Sequence, residues 1–419
     1  MKLLISAIAC DPMGVSEAGI GWNVVSRMAI KHDVSVLTHT RHKEAWESAT
    51  AQGLVPPNIN VRFLGSFSEW HTNRLIARIQ SWLDYMQFSR LVLSAAIAWH
   101  DQNKFDLVHQ PTYATWRIAS DLWKMPIPFV WGPLGGTARF PWRFFGILSP
   151  SARIFEVVRY FGTLVSRMNP RVRRSISKAA VVIAANRETR LFLETMRGGG
   201  SLPQVPSAFI TREKKISLSR APSAPCSAAQ PLLLFAGGNI EGRKGVALAL
   251  HALAAVKAEG IPFHYTIAGG GADVPNLTRL ATRLGIASQV SFNPGYRGLE
   301  YVAILNESHV YLLPSFRETT PVTLLEAITA GCFPIVADAS AAGEIVTLVG
   351  GVAVSVKNPL ETIRLLAEAL IDVYQHLDTL PETMNVMNEK LQLHFSAAAY
   401  ESGIDLAYHT ALNTESQSR

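Results

Sequence analysis

The sequence predicts an α/β fold made of two doubly wound, parallel-sheet domains, and three observations carry this. Short apolar runs alternate with helical patterns along nearly the whole chain, the rhythm of parallel βα units. That rhythm lapses at residues 211–230, where Ser, Ala, Pro and charge collect, and then restarts. The chain has 419 residues, 48% of them hydrophobic, which is enough for two or three domains with a core each.

The first domain, 1–210, is expected to hold strands near 2–10, 34–38, 61–65, 106–110, 128–132 and 180–185. Its opening, MKLLISAIAC, has one Lys and only a short apolar stretch before Asp11 and Pro12, so a buried strand is expected there and not a secretory leader. Helices fill the gaps. The longest, about 72–100, has Leu75, Ile79, Leu83 and Met86 at the spacing of one amphipathic face. After the linker at 211–230, the second domain, 231–385, offers PLLLFAGG, HYTIAGGG, VSFNPG, VYLLPS, CFPIVAD and GVAVSV as strands. Two helices between them, KGVALALHALAAVKAEG and VTLLEAITAG, each end on a Gly suited to a C-cap. No run of about 18 uninterrupted apolar residues occurs, so no membrane-spanning helix is expected. Cys10, Cys226 and Cys332 lie far apart without metal-ligand or disulfide spacing, which points to a reducing compartment such as the cytoplasm. Open parallel sheets present ligand loops at their strand C-termini, so the expected binding crevice lies between the two domains.

The net charge of +7 is concentrated. Residues 139–178 carry nine basic side chains against Glu156 alone, leaving the rest of the chain slightly negative. This argues against a nucleic-acid partner and for one local patch. In the same stretch, RFPWRFFGIL and IFEVVRYFGTLV interleave aromatics with Arg. Two readings are open: a peripheral segment on an anionic membrane surface, or an amphipathic core helix with a solvated basic face.

Five groups of residues suggest chemistry. In LPSFRETTPVTLLEAITAGCFP, Glu318 falls in a loop after a strand and Glu326 lies one to two turns into the next helix, so both can face one ligand. Two carboxylates suit the hydroxyls of a sugar or a ribose diol, while Thr319 and Thr320 at the helix start suit a phosphate. A capping Glu and a solvated Glu is the plain alternative. In FAGGNIEGRKG, a glycine turn with Gly238 and Asn239 precedes Arg243 and Lys244, a combination able to grip a diphosphate. Near the N-terminus, Gly14, Gly19 and Gly21 would let the backbone approach a ligand, and Glu17 either caps a helix or binds an acceptor hydroxyl. His109 ends a strand, where such a residue is structural or a binding contact more often than catalytic. Tyr296 and Arg297 end another strand and could meet a nucleotide base. No DxD occurs, so no metal is expected and diphosphate charge is left to Arg, Lys and helix N-termini.

Together, RETTPVTLLEAITAGCFPIV, GGNIEGRKG and SEAGIGW resemble the retaining glycosyltransferases of family 4, which have the GT-B fold of two Rossmann-like domains. The Glu318–Glu326 spacing is similar to that family's E-x7-E motif. The resemblance implies transfer of a sugar from a nucleotide-diphosphate donor, held by the second domain, to a saccharide or lipid-linked acceptor held by the first. It implies that Glu326 binds the ribose, Glu318 the transferred sugar, Thr319 to Pro321 the sugar and diphosphate through their backbone, and Arg243 with Lys244 the diphosphate. It further implies that the last helix, within 386–419, crosses back to the first domain, and that the setting is bacterial exopolysaccharide or lipopolysaccharide synthesis. Asn239 stands where many members have Arg, and Gly132 and Pro133 stand where many have a His after the fifth strand. Two other functions share the architecture: a sugar-nucleotide 2-epimerase, and a non-catalytic partner of another transferase.

Overall fold

The computed structural model describes residues 1–14, 16–66, 74–218, 230–296 and 298–418. The chain divides into two units, one comprising Met1–Thr137, Thr163–Ser207 and Tyr400–Arg419, the other Ala138–Gly162 and Ala208–Ala399.

The first unit is built on β1 (Lys2–Ala7), β2 (Asp33–His39), β3 (Ile59–Leu64), β4 (Leu107–Thr112), β5 (Phe129–Leu134) and β6 (Val181–Ala184). They form one parallel sheet in the order β3-β2-β1-β4-β5-β6. Its helices are α1 (Ser16–Met28), α2 (Lys43–Ala51), α3 (Arg74–Asn103), the end of α4 (Pro150–Met168), α5 (Pro170–Lys178) and α6 (Arg187–Arg197). The strands read as continuous apolar runs because helices cover the sheet on both faces, and Leu4, Val108, Trp131 and Val182 are fully buried. At Gly21 of α1 a Cβ would lie 1.9 Å from the Ala9 carbonyl oxygen, so only glycine lets this helix pack so close to the chain leaving β1.

Along α3 the buried face is Tyr85, Phe88, Val92, Ala96 and Trp99, whereas Leu83, assigned to the core by its spacing, is 54% exposed. Apolar residues occur on several sides of this helix, so spacing alone leaves two stripes available. The stripe rich in aromatic rings removes more apolar area from water and faces inward. The side chains of Leu75 and Ile79 lie outside those described.

The second unit holds α7 (Arg212–Ser217), β7 (Leu232–Gly237), α8 (Val246–Ala258), β8 (Phe263–Ala268), α9 (Val274–Arg283), β9 (Val290–Asn293), α10 (Gly298–Glu307), β10 (Val310–Leu313), α11 (Val322–Thr329), β11 (Phe333–Ala337), α12 (Ser340–Val349), β12 (Val352–Val354), α13 (Pro359–Gln375) and α14 (Leu380–Phe395). Its parallel sheet runs β12-β11-β10-β7-β8-β9, the same winding as the first. Leu248, Leu250, Leu253 and Val256 of α8 are all fully buried, which accounts for a helix that is apolar on nearly every side. The expected closing glycines, Gly260 and Gly331, follow α8 and α11 with left-handed φ of 76° and 89°.

Three boundaries differ from those read in the sequence. Residues 138–162, assigned to the first domain, belong to the second unit, where Phe140, Phe144 and Leu148 join its core. Their aromatic side chains find apolar partners there, which local patterning cannot reveal. Part of the expected linker is structured, residues 212–217 forming α7, while 219–229 lie outside the described residues. The C-terminal element also divides. Residues 386–399 stay with the second unit, and Tyr400 onward belongs to the first within α15 (Ala397–Ser418), where Lys31 Nζ meets Asp405 Oδ2 at 2.6 Å. Among the described residues no helix is long and apolar enough to cross a membrane.

Candidate functional site

In a doubly wound sheet the winding direction reverses between two adjacent strands, and the loops leaving their C-terminal ends diverge to make a crevice. In the second unit those strands are β7 and β10, paired through Leu234–Val310 and Phe235–Tyr311. The loop after β7 is Gly238–Gly245 and the loop after β10 is Pro314–Pro321. Both sequence-predicted motifs therefore meet at one place for a topological reason.

Contact between the loops is close. Gly245 has a φ of 68°, and a Cβ there would lie 2.1 Å from the Pro314 carbonyl oxygen. Phe316 N donates to the Arg243 carbonyl at 2.9 Å, and Arg243 Nη1 donates to the Arg317 carbonyl at 2.8 Å. On this frame Lys244 Nζ donates to Glu318 Oε1 at 2.6 Å, Ser315 Oγ donates to the same oxygen at 2.7 Å, and Arg243 Nη1 stands 3.4 Å from it. Lys244 is only 6% exposed. Burial works to raise the Glu318 pKa, but the Lys244 and Arg243 charges, with the Lys244 and Ser315 hydrogen bonds, outweigh it and hold the carboxyl below its ordinary value. Arg243 Nε also reaches Glu241 Oε2 at 3.2 Å, while exposed Asn239 donates to Glu241 Oε1 at 2.9 Å. A Cβ at Gly238 would sit 3.6 Å from Lys244 Nζ, so the glycine turn lies over the ammonium group.

Glu326 is buried one turn into α11 and holds a second set of partners. Tyr301 Oη donates to its Oε2 at 2.7 Å, and Lys214 Nζ lies 2.9 Å from its Oε1. Burial, then the Glu326 charge, push the Tyr301 hydroxyl well above its ordinary pKa, so it stays a donor. Thr319 and Thr320 occupy the turn ahead of α11 and Pro321 is its N-cap residue. The Glu318 backbone N–H donates to Ser340 Oγ at 2.9 Å. Tyr296 is half-buried against the core of this unit; Arg297 lies outside the described residues. A cavity of about 690 Å³ lies beside Gly242, between Ile147–Pro150 and α9, and neither Glu318 nor Glu326 lines it.

The first-unit candidates are held differently. His109 is fully buried at the sheet centre, with Nδ1 2.8 Å from Tyr408 Oη and Nε2 2.7 Å from the Gly132 carbonyl. Burial pushes its pKa down to about 4. Both ring nitrogens are used inside the fold, so it fastens β4 to β5 and α15 and presents no atom to an acceptor. Gly132 and Pro133 are buried within β5, not in a ligand loop. Glu17 lies in the first turn of α1, and its Oε1 accepts the Ala114 N–H at 3.1 Å, which ties α1 to the chain after β4. Burial raises its pKa. Gly14 turns back on Asp11, its N–H donating to the Asp11 carbonyl at 3.0 Å. Gly19 lies within α1, where a Cβ would meet the Gly14 carbonyl oxygen at 2.6 Å.

Sequence reading missed Lys214, Tyr301, Ser315, Ser340, Glu156 and Arg317. Of these only Ser315 and Arg317 carried a signal, as neighbours of Glu318 in the loop.

Residues 226–386, which hold the loops after β7 and β10 and both Glu318 and Glu326, match one family model. That model is the one for glycosyl transferases group 1. A stretch of 113 residues is 31% identical to WcaL of Salmonella typhimurium, a protein named as a candidate colanic acid biosynthesis glycosyltransferase; the match covers 25% of this chain and 27% of that relative. The group 1 match thus lies within the second unit, and the named relative is matched over about a quarter of its length. The fold extends further. Sucrose-phosphate synthase from Thermosynechococcus elongatus superposes over 98% of this chain and 99% of its own with a TM-score of 0.67 at 15% identity. HepE of Anabaena, solved with UDP-glucose, superposes over 98% and 100% with a TM-score of 0.64 at 16% identity. At these identities the likeness is one of fold, the two-sheet α/β architecture of GT-B proteins.

Proposed function

We propose that this chain is a retaining glycosyltransferase that moves a hexosyl group from a UDP- or GDP-linked sugar to a saccharide or lipid-linked acceptor, without a metal, in the synthesis of a bacterial surface polysaccharide or lipopolysaccharide. The observation that carries this reading is the cluster of Arg243, Lys244 and Glu318 where the winding of the sheet reverses, with Glu326 on the helix that follows. The group 1 match of residues 226–386, the colanic acid name of the relative and the UDP-glucose bound by HepE support it.

Within the cluster the charges balance, Arg243 and Lys244 against Glu241 and Glu318. A diphosphate competes for the two cations and releases Glu318 to accept hydrogen bonds from the transferred sugar. A ribose diol competes with Lys214 and Tyr301 for Glu326 in the same way. In the transfer step the bond between the anomeric carbon and the β-phosphate oxygen breaks and the acceptor oxygen bonds that carbon on the same face. The acceptor proton passes to the departing phosphate. Charge then grows on the diphosphate, where fixed cations stabilise it without reorganising.

The basic segment supplies a second part of the proposal. On α4 the side chains of Ile154, Val158 and Phe161 are 66%, 64% and 58% exposed, and Trp142 is 54% exposed. With the exposed Arg139, Arg143 and Arg153 of the same unit, this surface complements an anionic membrane face, here the inner face of the cytoplasmic membrane. The test of the activity is transfer by the purified chain, followed by the anomeric configuration of the product. Retention supports the reading, inversion overturns the retaining assignment, and free nucleotide with an epimerised sugar favours the epimerase. Flotation with vesicles containing phosphatidylglycerol tests the membrane part, which is overturned if the protein stays with the soluble fraction.

A further inference from the structure

The segment 138–162 meets both loops of the donor site. Phe140 and Phe144 pack their rings on Phe316, with centroids 4.8 and 4.7 Å apart. Leu148 and Ala152 crowd Gly242, where a Cβ would lie 2.5 Å from Leu148 Cδ2 and 3.2 Å from Ala152 Cβ. Ser149 Oγ donates to Asp273 Oδ1 at 3.0 Å. At its far end Glu156, with a side chain 7% exposed, takes the guanidinium of Arg317, itself 11% exposed, in an ion pair of 2.5 Å.

We infer that Glu156 is a positioning residue for the diphosphate grip: by holding the Arg317 side chain it fixes the main-chain carbonyl that orients the Arg243 guanidinium. The inference rests on the donor-site reading above. Glu156 touches neither Glu318 nor Arg243 and acts through one residue. Arg317 offers its side chain to Glu156 and its carbonyl to Arg243 Nη1 at 2.8 Å. The next residue along is Glu318, so the same anchor sets where that carboxylate stands. Without it, Arg317 is a buried cation lacking its carboxylate, and the loop is driven to carry it toward water. The Arg243 guanidinium then loses the acceptor that aims it, whereas Glu326, with Tyr301 and Lys214, keeps its own partners. A diphosphate therefore loses more than the nucleoside does.

Titration calorimetry with UDP, UMP, GDP and GMP on the full chain tests this. Wild type supplies the ratio of diphosphate to monophosphate affinity for whichever base binds. Glu156→Ala is expected to lower that ratio about tenfold, which corresponds to about 1.4 kcal/mol, and Glu156→Gln, which keeps an acceptor for Arg317, to lower it less. A purely structural role would weaken monophosphate and diphosphate alike and leave the ratio unchanged, and that result overturns the inference. If Glu156→Ala does not fold, Glu156→Gln carries the test, and an unchanged ratio in it overturns the inference equally. Wild type that binds neither UDP nor GDP overturns the donor-site reading itself, and the inference with it.

Discussion

Replacing Lys244 by Met removes the closest cation from Glu318 while keeping a side chain of similar length. Lys244 Nζ is 2.6 Å from Glu318 Oε1 and the Lys244 side chain is 7% exposed, so no water can take the place of the ammonium group without entering the fold. Breaking a buried pair from one side costs about 3–5 kcal/mol. Here Arg243 at 3.4 Å and Ser315 at 2.7 Å stay with the carboxylate, so about 2–3 kcal/mol is the reasoned loss. For a unit of this size that lowers Tm by about 4–12 °C. The pH dependence has a definite sign. Glu318 has a folded pKa below its ordinary 4.5, so its contribution is present above 4.5 and is lost as pH falls through the folded value. Scanning calorimetry should therefore show the wild-type advantage at pH 7 shrinking as pH falls below the ordinary 4.5 and through the lowered folded value. Adding Glu318→Gln to Lys244→Met should recover part of the loss, because no uncompensated charge is then buried. Lys244→Met that unfolds at the wild-type temperature at pH 7 would show that the Lys244–Glu318 pair does not stabilise the fold.

Three more outcomes can be measured. Arg243→Ala should weaken the preferred nucleoside diphosphate by about 10- to 100-fold, the range of one or two charge-assisted hydrogen bonds, as read by calorimetry. Glu326→Ala and loss of the ribose diol should not add: the variant should bind UDP and 2′,3′-dideoxy-UDP about equally, whereas wild type prefers UDP. His109 titrates near 4 in the fold and about 6.5 unfolded, so its contribution is complete above 6.5 and falls away as pH drops toward 4, by about 3 kcal/mol at most; the wild-type advantage over His109→Gln in Tm should narrow across that window.

The fold was legible because its signal is local and repeated. All twelve expected strands occur among the described residues within a few positions, since a buried parallel strand needs only a short apolar run closed by a turn residue. The cluster behind the proposed donor site was legible for a related reason: Arg243, Lys244 and Glu318 sit in two loops at strand ends and Glu326 in the helix that follows, each with its own pattern. What stayed hidden depends on partners far along the chain. Lys214 reads as linker charge until it meets Glu326, and Glu156 is a lone acid in a basic run until it meets Arg317. His109 ends a strand as a binding residue would, yet Tyr408, 299 positions away, occupies its ring. On α3 several apolar stripes were available and only the sheet beneath could choose among them.

The loops after β7 and β10 are proposed to bind a nucleoside diphosphate. Thermal unfolding of the wild type and of Glu326→Ala with UDP, GDP, ADP and CMP, each with and without magnesium, tests it most directly. At about 100 times its dissociation constant a ligand adds about 2.7 kcal/mol. One of the diphosphates should raise Tm equally with and without magnesium, and Glu326→Ala should abolish the rise; no rise with any nucleotide, or one that needs magnesium, would contradict metal-independent binding at these loops.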